Sequence, residues 1–138
     1  MSVNFNPYEN YRIRVFENSG ELRNYKKDVV VDNRRERVVL LIGQVAPDKF
    51  AIGYDIFFAD GRRAGRLPSL EFGYFVRERE AKLYFLGYIK QNRSRFLPST
   101  IEAVDDLIRT ILRVASGDMK NEELLQWLKA HIAESGGV

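Results

Sequence analysis

Between residues 50 and 59 the chain alternates strictly between two kinds of position. Large apolar or aromatic side chains occupy one set: Phe50, Ile52, Tyr54, Ile56 and Phe58. Small or polar residues occupy the other set, with one aromatic exception: Ala51, Gly53, Asp55, Phe57 and Ala59. A period of two predicts a β-strand with one face buried. Asp60-Gly61 then predicts a hairpin, whose second strand runs over residues 62–67 and ends at Pro68.

Other parts of the first 70 residues also have strand character. Tyr11, Ile13 and Val15 alternate with arginines, which is the pattern of a half-buried strand. Residues 37–45 are β-branched or leucine-rich and predict a central strand, with a turn after it at residues 46–49. Residues 17–36 are polar, so we expect a long loop there, or a loop with a short strand near residues 29–31.

The apolar spacing changes to that of helices in the second half of the chain. Residues 78–91 fit one face of a helix, although Leu83 and Leu86 widen that face until a buried strand also fits. Glu78 and Lys82 are four residues apart and favour the helix. Residues 99–115 predict a second helix with Ser99 and Glu102 as its capping box, and residues 121–134 predict a third. The apolar stripe of the second helix is expected to be buried against the sheet: Ile101, Val104, Leu107, Ile108, Ile111 and Leu112.

The order of these elements, strands first and helices after, predicts an α+β fold. We expect an antiparallel sheet of about four strands with two or three helices packed on one face, so that the other face can meet solvent or a ligand. A length of 138 residues fits one domain, strand-rich over residues 10–75 and helix-rich over residues 77–135.

Composition excludes several classes of site and of location. The chain has no cysteine, which rules out disulfides, thiolate zinc sites and cysteine nucleophiles. Its first residues contain no apolar core of signal-peptide length. The longest apolar run, which starts at Val38, is far too short to cross a bilayer. We therefore expect a cytoplasmic protein that does not associate with membranes.

No group of residues has the spacing of a catalytic or cofactor site. His131 is the only histidine, and Glu134 three residues later is its only nearby acid on the same predicted helix, whereas a metal or a catalytic histidine needs several convergent partners. The adjacent acids at 105–106 and 122–123 point about 100° apart on their helices and favour the helix dipole instead. The glycines around residues 61–65 do not match a phosphate-binding loop. We expect no enzyme activity, no cofactor and no metal.

Charged residues are distributed unevenly along the chain, whose formal net charge is +3. Residues 62–95 contain nine Arg or Lys and three Glu, whereas residues 98–138 contain four basic and seven acidic residues. A basic middle beside an acidic tail indicates an oriented surface that meets an acidic partner. The alternative is that the basic side chains only solvate outward faces and strand edges.

Arginines and aromatic rings are interleaved through the basic stretch. Single-stranded nucleic acid is bound by this combination, because cations follow the phosphates while rings stack on the bases, and the planar guanidinium suits phosphate better than an ammonium group does. The residues predicted to form this surface are Arg62, Arg63, Arg66, Arg77, Arg79, Arg93, Arg95, Phe57 and Tyr74. Most rings fill the core instead, but Phe57 shares its strand face with small and acidic residues.

The sequence therefore favours a non-enzymatic accessory protein that binds nucleic acid, preferably single-stranded, with little sequence specificity. The alternative is a protein-interaction module, such as an adaptor, an inhibitor or a small subunit, that docks through an exposed sheet face or edge; a homodimer is also open. A third interpretation is a small-molecule pocket between sheet and helices, lined by Tyr54, Tyr84 and Tyr88. Salt dependence separates the first two, because phosphate contacts release counterions and apolar contacts do not.

Overall fold

The computed structural model describes residues 6–15 and 20–115, without the side chain of the last of them. In these ranges it has four strands: β1 (Lys26–Asp32), β2 (Arg37–Ala46), β3 (Lys49–Phe57) and β4 (Arg63–Arg66). Two α-helices follow, α1 (Glu78–Gln91) and α2 (Pro98–Ala115). Short 3-10 helices lie at Glu9–Tyr11, Leu70–Phe72 and Arg93–Arg95. The predicted α+β class is confirmed, and the predicted helix over residues 121–134 lies outside the described residues.

The chain divides into two compact units, Met1–Val104 and Asp105–Val138. The first unit contains the whole sheet, α1 and the first turns of α2. That one domain spans all 138 residues stays a prediction. None of the described helices is long and apolar enough to cross a membrane.

The four strands form one antiparallel sheet in the order β1-β2-β3-β4. Because each strand reverses the direction of the one before, the β1–β2 turn (residues 33–36) and the β3–β4 turn (residues 58–62) lie at the same end of the sheet. We call this the double-turn end. The β2–β3 turn at residues 47–48 lies at the opposite end of the sheet. The sequence predicts a turn at residues 46–49, and this prediction is met.

The core is centred on β2 and α1. Every side chain from Val38 to Ile42 is buried, which explains why this strand is a continuous apolar run. On α1, burial falls on the apolar face and includes Leu83 and Leu86, so the segment is a helix and the buried-strand alternative is wrong. Two ion pairs join α1 to β1, one between Glu78 and Lys26 and one between Lys82 and Asp28. The helix therefore lies along that strand.

Two sequence predictions of local structure need correction. Residues 9–11 form a 3-10 helix rather than the start of a strand, and Ile13, which is 38% exposed, makes only an isolated bridge to Tyr74. Alternation shows which side chains could share a face, but a strand also needs a neighbour to pair with along its length. Conversely, the short strand expected near residues 29–31 extends over all of β1, with a bulge between Val29 and Val31.

Helix α2 is confirmed, but its start and its burial differ from the prediction. It begins at Pro98, where proline fits the first helical position, so Ser99 lies inside the first turn and is not the cap. Within the stripe Val104 and Ile108 are buried, whereas Leu112 is 39% exposed. An apolar stripe indicates which face of a helix avoids water, but not how far along the helix that face is covered.

Gly53, in the middle of β3, allows another part of the chain to cross it closely. A Cβ atom at this position would clash with the carbonyl oxygen of Arg66 and come within 2.6 Å of Leu67 C and Pro68 N. The chain leaving β4 therefore packs directly on the backbone of β3, which is the close packing that an interior strand glycine indicates.

Replacing Gly53 with alanine is expected to destabilise the fold by about 2 kcal/mol or more, because the new methyl group meets backbone atoms that cannot rotate away. Gly65→Ala on β4 is the matched control, since its Cβ would have 3.7 Å to the nearest atom, Asp55 Oδ1. We expect that variant to be unchanged or more stable by about 0.5 kcal/mol. Urea unfolding measures both, and equal midpoints for the two variants would contradict the close crossing.

Candidate functional site

A buried carboxyl group, that of Glu36, connects three separate segments at the double-turn end. Glu36 is only 3% exposed. Its Oε1 accepts hydrogen bonds from the Thr100 hydroxyl at 2.6 Å and from the Leu97 backbone N–H at 2.9 Å, and its Oε2 accepts from the Ala59 N–H at 3.4 Å. The β1–β2 turn, the β3–β4 turn and the entrance to α2 are thereby joined at one point.

Asn33 completes this network and fixes the turn that carries Glu36. Its side-chain oxygen accepts from the Glu36 backbone N–H at 2.9 Å, and its amide nitrogen donates to the Thr100 hydroxyl at 2.8 Å. Thr100 therefore accepts from one partner and donates to the other. A buried polar network of this kind is stabilising because its members satisfy one another. The carboxylate also lies before the first turn of α2, where the helix dipole favours negative charge.

The three segments joined at Glu36 all carry arginines. Arg34 and Arg35 lie in the β1–β2 turn, Arg62 ends the β3–β4 turn and Arg63 begins β4, and the 3-10 helix before Leu97 contains two more. We call this set the arginine cluster: Arg34, Arg35, Arg62, Arg63, Arg93 and Arg95. Two of its members flank the same ring, because the guanidinium carbons of Arg62 and Arg95 lie 5.7 and 5.1 Å from the centre of Phe58.

Nearby carboxylates bind only some of these arginines. Arg62 pairs with Asp60 at 2.7 Å, and hydrogen bonds from Arg62, first from its backbone N–H, lower the pKa of Asp60. Arg63 makes two hydrogen bonds of 3.0 Å to Asp55, and these raise the pKa of Arg63. The other four members, Arg34, Arg35, Arg93 and Arg95, form no ion pair with any described residue.

Most aromatic rings at this end belong to the core. Phe58 and Phe96 are buried and lie 5.2 Å apart between ring centres. Phe57 is half-buried, and the guanidinium carbon of Arg63 lies 4.6 Å from its ring centre. Phe57 is therefore the predicted ring that the structure places beside the arginine cluster with part of its surface open to solvent.

The predicted binding residues do not form one surface. The structure brings Arg62, Arg63, Arg93, Arg95 and Phe57 together at the double-turn end. The start of α1, with Arg77 and Arg79, lies at the other end, because neighbouring Glu78 pairs with the first residue of β1. The length of β1 separates these ends by about 20 Å.

Two of the residues at that other end already have partners. Arg77 pairs with Glu80 at 3.0 Å. The ammonium group of Lys49 lies 4.7 Å from the centre of the Tyr74 ring. The remaining predicted residue, Arg66, lies at a separate cavity.

This cavity has a volume of about 290 Å³ and lies beside β3 and α1. Six aromatic rings line it, the three tyrosines expected from the sequence among them: Tyr54, Phe72, Phe75, Tyr84, Phe85 and Tyr88. Arg12 and Arg66 supply the positive charge of its lining. Burial raises the pKa of Tyr84 and of Tyr88, with the neighbouring Tyr54 as a further cause for Tyr88. Their phenol groups are therefore neutral at physiological pH and can donate hydrogen bonds.

Sequence reasoning missed three residues of the arginine-cluster site. Glu36, Arg34 and Arg35 lie in a polar stretch that reads as an ordinary solvated loop. The one available signal was a single glutamate among three arginines at residues 34–37. Among the described residues no group of His, Asp or Glu side chains could hold a metal, and His131 lies outside them.

Comparison with protein-family models, with curated protein sequences and with solved structures finds no significant match to the chain.

Glu36→Gln tests whether the buried carboxyl group holds the double-turn end together. Glutamine has the same size, but its NH2 group replaces an oxygen that now accepts from a backbone N–H, so one donor loses its partner. The expected cost is about 1–3 kcal/mol of unfolding free energy. Glu71→Gln makes the same chemical change at an exposed position and should cost less than about 0.5 kcal/mol. Equal unfolding midpoints for the two variants would contradict this role.

Proposed function

We propose that this protein binds nucleic acid without catalysis, through the arginine cluster, by contacting the backbone phosphates of a single strand with little sequence specificity. The observation that carries the proposal is the convergence on Glu36 of three arginine-bearing segments. A set of cations gathered from three segments of the chain needs a structural reason, because like charges repel one another. The hydrogen bonds of the buried network around Glu36 hold the three segments together and so offset that repulsion.

The pairing of the arginines with acidic side chains supports this proposal. Glu36 directs its carboxylate toward backbone N–H groups and the Thr100 hydroxyl, and none of the described arginines pairs with it. Arg34, Arg35, Arg93 and Arg95 therefore keep their full set of donors for an external anion. A guanidinium binds phosphate through two parallel hydrogen bonds, which makes these four groups suited to a phosphate backbone.

The backbone at Arg34 is a second supporting observation. Its φ of 76° lies in the left-handed region, where a side chain is disfavoured and glycine is the ordinary choice. Arg34 is the one non-glycine residue in this region among those described. An arginine kept at such a position is consistent with a use for its side chain that outweighs the local strain.

A single strand suits this arrangement better than a duplex. The arginines lie on three separate segments rather than along one α-helix or one two-stranded ribbon that could enter a groove, and a flexible nucleic-acid strand can bend to reach each of them. Phe57, held against Arg63, offers one ring on which a base can stack. Phosphate contacts with one stacking ring give binding with little reading of base sequence.

The double variant Arg35→Gln/Arg93→Gln tests the cluster. Both side chains are exposed and belong to different segments. Each phosphate contact contributes roughly −0.7 to the slope of log affinity against log salt for a single strand, so losing two should flatten the slope by about 1.4. Fluorescence anisotropy with labelled single-stranded DNA and RNA, and with a duplex, measures the slopes.

The matched control is Arg77→Gln/Arg79→Gln, which removes the same charge at the other end of the sheet. Its slope should equal that of the unaltered protein. Equal flattening by both double variants would mean that net charge and not the cluster determines binding. If the unaltered protein binds none of these nucleic acids in a salt-dependent way, the proposal is wrong and the protein-interaction alternative takes its place.

Arg34→Gly separates binding from folding at a single residue. Glycine relieves the left-handed backbone, so the melting temperature should stay the same or rise, while the salt slope flattens by about 0.7. Arg35→Gly is the control, because Arg35 has an ordinary backbone conformation and glycine there should cost about 0.5–1 kcal/mol. A clear loss of stability in Arg34→Gly, with unchanged binding, would remove the functional argument for this residue.

A further inference from the structure

We infer a second binding site, independent of the arginine cluster: the aromatic cavity binds one flat aromatic ring whose substituent carries negative charge. Nucleoside monophosphates and small aromatic carboxylates share this chemistry. The inference rests on the size of the cavity, on the arrangement of its rings and on the guanidinium groups in its lining.

The size of the cavity suits a single ring system. Its volume of about 290 Å³ is far larger than a water molecule occupies. It lies at the lower limit of the roughly 300–1,000 Å³ that pockets for drug-sized ligands have. The space fits one ring system, of one ring or two fused rings, that carries an anionic substituent.

The half-buried tyrosines of the lining, Tyr54, Tyr84 and Tyr88, present ring surface for stacking. Tyr54 and Tyr88 lie 6.0 Å apart between ring centres with their planes 28° apart, and the buried Phe85 packs against both at 6.1 and 6.4 Å. Phe75 and Tyr84 form a second pair, tilted by 47° with centres 5.1 Å apart. Nearly parallel rings at one part of a cavity favour a flat guest, because offset stacking needs facing planes.

Arg66 is the group that selects an anion. Its guanidinium carbon lies 3.3 Å from the centre of the Phe72 ring, and it forms no ion pair with any described residue. A guanidinium stacked on a ring keeps the hydrogen-bond donors at its edge available while the ring fixes its plane. A phosphate or carboxylate on the ligand is the natural partner for those donors.

Arg12 also lines the cavity, but its hydrogen-bond donors contact the protein itself. Its side chain pairs with Glu9 and donates to the Phe72 carbonyl oxygen at 3.3 Å, while its guanidinium carbon lies 5.2 Å from the Tyr84 ring centre. These contacts use its donors for holding the wall of the cavity. Arg12 is therefore a positioning residue, and we assign the contact with the ligand anion to Arg66.

Titration calorimetry with the whole chain tests this site. The ligands are the common nucleoside monophosphates, 4-hydroxybenzoate and indole-3-acetate, with adenosine and 4-hydroxybenzyl alcohol as uncharged counterparts. We expect at least one anionic ligand to bind about tenfold or more tightly than its uncharged counterpart, with that preference lost in Arg66→Gln. Binding of the nucleotides alone identifies phosphate as the anion, and binding of the acids alone identifies carboxylate.

Three variants make the result specific. Arg66→Lys keeps the positive charge and should retain part of the preference for the anionic ligand over its uncharged counterpart. It also provides the test of Arg66 if Arg66→Gln fails to fold. Tyr88→Leu removes a stacking ring and should weaken charged and uncharged ligands alike. Arg35→Gln/Arg93→Gln should bind these ligands normally, which separates this site from the nucleic-acid proposal. No binding of any ligand, equal binding of charged and uncharged pairs, or an unaffected Arg66→Gln would overturn the inference.

Discussion

The hydrogen bonding of one buried carboxyl group determines the arrangement of the double-turn end. Removing a carboxylate from water is costly unless donors replace the water, and six arginines are close by in the chain or across the turns. Glu36 nevertheless receives its hydrogen bonds from two backbone N–H groups and the Thr100 hydroxyl. Because these donors are neutral, the charge of Glu36 is stabilised without neutralising an arginine. The carboxyl group thus joins three segments without forming an ion pair with any of their arginines.

A close approach of two backbone segments determines the cavity in a comparable way. Gly53 lets the chain after β4 lie against β3, and from there it continues into the 3-10 helix at Leu70–Phe72. Phe72 then receives the guanidinium of Arg66, from the end of β4, on its ring. A side chain at residue 53 would push this segment outward and change the distance between Phe72 and the rings on α1. The smallest residue of the strand therefore influences the geometry of a cavity that it does not line.

Much of the fold could be predicted from the sequence, because it depends on periodicity and on turn chemistry. Three sequence patterns each correspond to an element of the structure: the alternation before Asp60-Gly61 to β3, the apolar run to β2 and the helical spacing to α1. The grouping of the arginines could not be predicted in the same way. Arg77 and Arg93 are near one another in the chain, but α1 between them is 14 residues long and separates them by about 21 Å. The turn that carries Arg34 is instead joined to the segments that carry Arg62 and Arg95, because Glu36 forms hydrogen bonds that no local sequence pattern encodes.

The two sites differ in what they can recognise. The arginine cluster consists of exposed cations on loops, and such cations respond to the density of negative charge more than to the shape of the molecule that carries it. The cavity has one available guanidinium and several fixed rings, so the fit of a flat surface contributes more there than charge does. Salt should strongly weaken binding at the arginine cluster, because several counterions are displaced there. It should weaken binding in the cavity only slightly, because one anionic group is bound there. The two proposals therefore assign extended polyanions to the end of the sheet and one flat anion to the cavity beside β3, and they predict little competition between the two kinds of ligand.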